Sequence, residues 1–492
     1  MDNFGILSLI TFLPLLGALV IALLPRANAS ALRGGALVFS LINLGLSFTI
    51  FNVNGDGSMS FVESCSWIPA FGISYAMGVD GIAMPLIILA CLIVPICVAT
   101  TMHVGDRLKE YLVLLLIMEA GMVGVFCATD IILFYMFFEL TLIPLYFLIG
   151  MFGGKERIYA AFKFFLFTAA GSLPMLISIL YLMYQFRQTS GSYSGSIEDL
   201  RTLNLGSSQQ MWVFAGFALA FAIKVPMFPL HTWLPDAHVQ APTGGSIILA
   251  AIMLKLGTYG FLRFGIPLLP EAAQKFAGPL LLLSVIGVIY GAYLAWAQAD
   301  LKKLVACSSV SHMGFVMVGV FALQPDAVRG AVLQMLNHGI STGALFLLVG
   351  AIYERRHKRG LDDFGGLVKV APAMGLALVI TSLSSIGLPG LNGFVGELLI
   401  LVGAFQTQPV YAALCALGVL LGAIYMLQMV RRVCYGTPNS KEAAELTDMT
   451  LAEKLAFAPL VLLMFAIGLA PGFLLDRIGP AVDSLLSVLG SS

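Results

Sequence analysis

The sequence predicts an all-α polytopic membrane protein with about fourteen transmembrane helices. Three observations carry this. Hydrophobic residues make up 59% of the 492 and charged residues only 11%, with mean hydropathy +0.96, whereas soluble domains run near ~25% charged. Apolar runs of about 20 residues recur along the chain, each long enough to cross ~30 Å of hydrocarbon. The basic residues between those runs fall mostly on alternate loops, the asymmetry that a correctly divided membrane chain shows.

Taken in order, the run 4–24 has no basic segment ahead of it and is followed at once by further spans, so it reads as a retained helix and not a cleaved signal. Spans at 33–51 and 81–102 flank a Gly/Ser-containing outer loop, 52–80. Next come 111–128, 131–151 and 159–186, a second outer loop at 187–210, and 211–227, which contains Lys224-Val-Pro226. Beyond a polar segment holding His231 and His238 lie 243–264, 276–297, 303–323 and 328–353. The stretch 371–405 is too long for one straight crossing and contains Gly387-Leu-Pro-Gly390 and Asn392-Gly393, so one broken helix is expected there. Spans 410–430 and 454–475 complete the set, the last introduced by Thr450-Leu-Ala-Glu453, a helix capping box.

Of the 26 Lys and Arg residues, 17 sit on one set of alternate loops, and only Arg187, Arg201, Lys275, Arg329 and Arg477 on the other. The basic side is cytoplasmic by the positive-inside rule, which places both termini outside. Lys163 and Arg263 lie near span ends, where snorkelling to the interface is expected. Net charge is zero, so no basic field argues for nucleic acid. The seven cysteines are scattered without C-x-x-C spacing and read as core residues, not Fe–S or haem ligands. His231, Asp236 and His238 do not read as a metal site, because Pro235 interrupts their spacing and no third soft ligand is near. A loop network near a proton entry is expected instead. No phosphate-binding loop, dinucleotide fingerprint or nucleophile elbow is present.

A charged group at bilayer depth costs roughly 2.5–3.5 kcal/mol, so those that persist pair, line water or carry ions. Glu139, Lys224, Lys255, His312, His338 and Glu397 each lie in a different apolar span. Glu139 and Lys224, on neighbouring helices, can neutralise each other. Histidine titrates near neutrality and burial brings lysine toward it, so the set suits stepwise proton hand-over through interior water. Glu119 also lies within a span. Gly339-Ile-Ser-Thr-Gly343 is a small-xxx-small pattern for close helix approach. A shift of 169 residues aligns Gly150 with Gly319, Phe152 with Phe321, Ser172 with Ser341 and Leu176 with Leu345. Each half also holds a Pro-interrupted helix near an ionisable residue, a pointer to an ion site.

The run from Phe221 through Pro226, His231 and Pro235 to Thr243, followed by Lys255-Leu-Gly-Thr-Tyr-Gly-Phe-Leu-Arg263, resembles the antiporter-like membrane chains of proton-translocating NADH:quinone oxidoreductase, respiratory complex I. Ser309–Gly314, Asn337-His338 and Leu388–Glu397 fit as well, and the likeness covers essentially the whole chain. The resemblance implies fourteen helices with two inverted five-helix repeats, broken in the seventh and twelfth, and both termini outside. It divides the chain into 1–110 (helices 1–3), 111–265 and 276–435 (the repeats), and 436–492 (a cytoplasmic loop, helix 14 and an outer tail). It matches Glu139, Lys224, Lys255, His312, His338 and Glu397 to the family's proton-path positions. An acid at Glu397, where the L and N types carry lysine, and an ending soon after the fourteenth span point to the M (chain 4) type. Gln240 departs from relatives that have an acid there. The resemblance implies partners in the L- and N-type chains on either side and in a peripheral redox arm, with NADH, FMN, Fe–S and quinone sites in other subunits and no cofactor or metal here. A bacterial plasma membrane is the expected location. A multisubunit Na⁺/H⁺ antiporter or a membrane-bound hydrogenase subunit is the alternative on the same core.

Overall fold

A computed structural model describes residues 5–101 and 104–490. Phe4 and Met102, at the ends of two predicted spans, lie outside the described residues. Among those described, eleven helices are long and apolar enough to cross a bilayer. Ala83–Ala99, the interrupted pair Ser207–Lys224 and Trp233–Gln240, and the interrupted pair Pro372–Ser385 and Asn392–Thr407 supply the other crossings. The predicted count of about fourteen stands.

Three crossings form the centre. The 18-residue apolar windows of Thr243–Leu268, Leu301–Phe321 and Pro325–Arg356 are 100% buried, against 22% for Leu451–Leu469 at the edge. A helix apolar all round can be wholly enclosed, and these three carry Lys255, His312 and His338 respectively. Gly339 lets two of them meet: a Cβ there would stand 2.7 Å from Ala251 O and 2.5 Å from Leu89 Cδ2. The small-xxx-small reading therefore holds at Gly339.

The helices end where the chemistry dictates. Asp130 caps Ile131–Leu140 through the amides of Ile132 and Leu133, and Asp300 caps Leu301–Phe321 through Lys303 N. The capping box forms as read, with Thr450 N donating to Glu453 Oε2 (2.7 Å) and Glu453 N to Thr450 Oγ1 (3.3 Å). Gln240, the departure from the family pattern, accepts Glu156 N on its side chain and Gly154 N on its backbone. An uncharged acceptor serves the start of Arg157–Ser190 there.

Several expectations are corrected. The loop 52–80 contains an antiparallel hairpin, Ser60–Ile68 with Ile73–Val79. The loop 187–210 contains the helix Ile197–Arg201, and the tail after the last crossing is the helix Gly472–Gly490. Its buried face (Leu474, Ile478, Val482, Leu485) recurs at helical spacing. Cys65 is exposed on the hairpin, while the other six cysteines are buried. Arg263 does not snorkel: it is buried against the Asp80 carboxylate at 2.7 Å, while Lys163, partly exposed, meets Asp236 at 2.6 Å. Lys302, counted among loop cations, is buried and donates to Ala241 O at 2.5 Å.

Candidate functional site

Lys224 ends Ser207–Lys224 because the next residues cannot continue the ladder: Pro226 lacks an N–H, and Met227 N bonds back to Ala222 O. The interruption frees Ile223 O, which the Trp233 indole takes at 3.0 Å. The Lys224 ammonium is 2% exposed and lies 4.8 Å from the Phe138 ring centre and 6.0 Å from Phe164. Glu139, half-buried one residue on from Phe138, is the acidic group in electrostatic reach of it. No ion pair closes between them among the described residues, so the pair stands open. Glu139 lies just before Thr141, where the crossing divides into Ile131–Leu140 and Leu142–Phe152.

Lys255 sits between two π-helical turns, Leu249–Met253 and Phe261–Gly265. Such turns shift the backbone ladder and recur at functional sites. Its Nζ donates to Ala250 O at 2.5 Å and meets His338 Nδ1 at 2.6 Å. At that separation one nitrogen donates and the other accepts, so a single proton serves both. The His338 and His312 rings lie 5.8 Å apart, centre to centre. His312 Nδ1 lies 3.4 Å from Glu397 Oε1, and its Nε2 is 3.3 Å from Ser385 Oγ. Four of the six predicted residues thus stand in one line: Lys255, His338, His312, Glu397. All four are buried. The spatial order reverses the two histidines relative to the chain.

A small cavity of about 10 Å³, roughly the space one water centre needs, is lined by His312, His338, Gln334, Asn337, Ser341 and Ser385 among others. His338 Nε2 has no protein partner on a ring that helps line this cavity. Gln334 holds Glu397 from the other side, Nε2 to Oε1 at 3.2 Å. The second helix break is stitched by Asn337 Nδ2 to Asn392 O (2.7 Å) and Ser384 Oγ to Asn392 Oδ1 (2.5 Å). Gly387, at φ +73°, leaves room for the carboxylate: a Cβ there would lie 2.7 Å from Glu397 Oε2.

Lys224 and Glu139 lie outside this line. The Lys224 helix reaches it through Gly257, where a Cβ would stand 2.7 Å from Phe221 O and 3.1 Å from Lys224 Cβ. Glu119 also stands apart, accepting Asn43 Nδ2 at 2.8 Å. His231 and His238 do not form a loop network. His238 is on the helix Trp233–Gln240, wholly buried and stacked on Phe346 at 4.5 Å, with neither ring nitrogen bonded to protein. Among the described residues no three His, Cys, Asp or Glu side chains converge where a metal could sit. Gln334 and Ser385 were not singled out from the sequence, and Asn337 and Asn392 entered only through a family motif and the helix break. Their shared signal was polarity within or beside buried apolar runs, and for Gln334 and Asn337 a position on the His338 helix.

Comparison with known proteins points the same way. Residues 128–424 match the family described as NADH:quinone oxidoreductase/Mrp antiporter, TM. The NADH-quinone oxidoreductase subunit M of Rhodobacter capsulatus is 44% identical over 497 residues, covering 98% of this chain and 96% of the relative. The NADH-ubiquinone oxidoreductase chain 4 of Marchantia polymorpha is 40% identical over 484 residues, covering 98% and 97%. A chain of respiratory complex I from Thermus thermophilus with bound NADH superposes with TM-score 0.89 at 34% identity, over 98% of this chain and 100% of that one. The Mrp complex from Dietzia sp. DQ12-45-1b, at 22% identity and TM-score 0.84 over 97% of this chain and 52% of its own, shares the fold.

Proposed function

The chain belongs to the NADH:quinone oxidoreductase/Mrp antiporter transmembrane family, and on that premise we propose the route by which it moves protons. It is a proton-translocating, multi-pass membrane subunit of an NADH:quinone oxidoreductase and assembles with other subunits of that complex. In our reading Lys224 takes a proton from the cytoplasmic side, with an affinity set by how close Glu139 stands. Interior water carries it past the Gly257 contact to Lys255. His338 and then His312 pass it laterally, and Glu397 releases it outward. Segments 111–265 and 276–435 act as the two repeats, each with its interrupted helix. NADH, flavin, Fe–S and quinone sites belong to partner subunits, whose redox energy supplies the ~2.3 kcal/mol needed per charge per 100 mV. L- and N-type chains flank this one in a bacterial plasma membrane with both termini outside, an orientation that the 17-to-5 division of basic residues supports.

The observation that carries the reading is the succession of buried groups from Lys255 Nζ to His338, across 5.8 Å to the His312 ring, and on to Glu397. The deciding experiment is Lys224→Ala in the complete complex, reconstituted in liposomes. Fewer protons per electron at normal assembly is expected. An assembled variant that pumps with the wild-type ratio overturns the assignment. Sodium–proton exchange on the same core is the other reading of such a site, but the full-length relatives at 44% and 40% identity are complex I chains.

A further inference from the structure

Arg263 and Asp80 make a 2.7 Å ion pair with side chains only 6% and 4% exposed. Among the described residues no other pair of Lys or Arg with a carboxylate is so enclosed; Arg355 with Glu453 comes nearest, at 13% and 22%. Apolar residues of similar volume commonly serve stability as well as a buried ion pair or better. The pair therefore calls for a reason beyond packing, and its position supplies one. Arg263 lies on the Lys255 helix, eight residues toward the outer side, or about 12 Å along the axis.

The groups between Lys255 and the outer face are poor proton carriers. The Tyr259 hydroxyl spends its one proton on Phe126 O at 2.8 Å and accepts Arg263 Nε at 3.0 Å. The guanidinium never gives its proton up. Asp80, the base in contact with Arg263, is committed twice: Oδ1 accepts Ile82 N and Ala83 N at 3.0 and 2.9 Å, and Oδ2 faces Arg263. Arg201, on the short helix Ile197–Arg201, is a further charged group within electrostatic reach of the pair, with Glu198 acting on Arg201 in turn. Above the pair the tail helix crosses closely, since a Cβ on Gly81 would fall 1.9 Å from Arg477 O.

We propose that Arg263, held by Asp80 and Tyr259, is an electrostatic seal between Lys255 and the outer face, closing the short way out along this helix so that protons leave by Glu397. A fixed cation in a narrow polar path repels protons, as arginine does in other membrane pores. The inference rests on the proton route from Lys224 to Glu397. Arg263 acts here as a positioning residue: it touches no transferred proton and directs its path.

The test uses the complete complex in liposomes with quinone reduction inhibited, so that no turnover occurs. Passive proton conductance is read under a potassium diffusion potential. Asp80→Asn with Arg263→Met removes both charges without leaving either unpaired, and roughly tenfold or greater conductance is expected. Asp80→Asn alone keeps the cation and stays tight. Adding Lys255→Met to the double variant closes the leak. A double variant as tight as wild type overturns the seal, and so does an Asp80→Asn single variant that leaks as much as the double, because packing would then be the barrier. If the double variant fails to assemble, Arg263→Gln takes its place in the same assay: a leak supports the seal and wild-type tightness overturns it. A wrong route shows in the pumping ratio of Lys224→Ala; a wrong seal shows here, without turnover.

Discussion

Lys255→Met separates stability from transport. The wild-type ammonium is fully buried and makes two contacts, to Ala250 O and His338 Nδ1. Methionine leaves both acceptors without a donor, a penalty of about 1–3 kcal/mol for each. It also removes a cation whose burial at bilayer depth costs roughly 2.5–3.5 kcal/mol. The two sums overlap, so the net change in stability is expected within about 3 kcal/mol, and assembly should survive. Transport should not. A thioether carries no proton, and losing a positioned acid–base group slows proton transfer by about 10²–10⁴. The assay pairs thermal denaturation of the purified complex with the proton-to-electron ratio in liposomes. An assembled Lys255→Met complex that pumps at the wild-type ratio would show that the line from Lys255 to Glu397 carries nothing.

Two further outcomes are expected. Gly257→Ala places a methyl 2.7 Å from Phe221 O and Val225 Cγ2; overpacking of this kind costs about 1–3 kcal/mol, so the complex should melt at lower temperature, and unchanged melting would show that the two helices give way freely. Asp448, in the loop before the last crossing, accepts the amides of Ala373 and Met374 at 3.0 Å each. Partial burial pushes its carboxyl up, but the amides of Ala373, Met449 and Met374 outweigh it and hold it below the ordinary 3.8. A depressed carboxyl stabilises the fold above its unfolded value and loses that contribution as pH falls through the folded one. The melting difference between wild type and Asp448→Asn should therefore shrink below about pH 4, and a difference that stays constant down to about pH 3 would show that charge plays no part in this cap.

Much of the architecture was legible in the chain because the cost of entering lipid is levied residue by residue. A run of twenty apolar side chains, a lysine inside one, or a cluster of arginines between two keeps its meaning whatever its neighbours do. The spans, the break at Gly387–Leu391 and the six intramembrane Glu, Lys and His residues were visible for that reason. The hairpin at Ser60–Val79 and the tail helix were not, because both are short or only half apolar and gain their stability from the bundle they pack on.

Partner choice belongs to the tertiary structure. Lys255 and His338 are 83 residues apart and Gln334 and Glu397 are 63 apart; which of them meet depends on how whole helices pack and rotate, and no local pattern encodes that. Packing placed His338 ahead of His312, left Lys224 facing the Phe138 ring with Glu139 beyond contact, and brought Arg263 to Asp80 in the interior. Composition and the placing of ionisable residues within apolar runs already required that charge be buried in this membrane protein, and on which helices. Only the packed bundle decided which charges stand within a proton's reach of one another, because reach is a matter of a few ångströms between segments far apart in the chain.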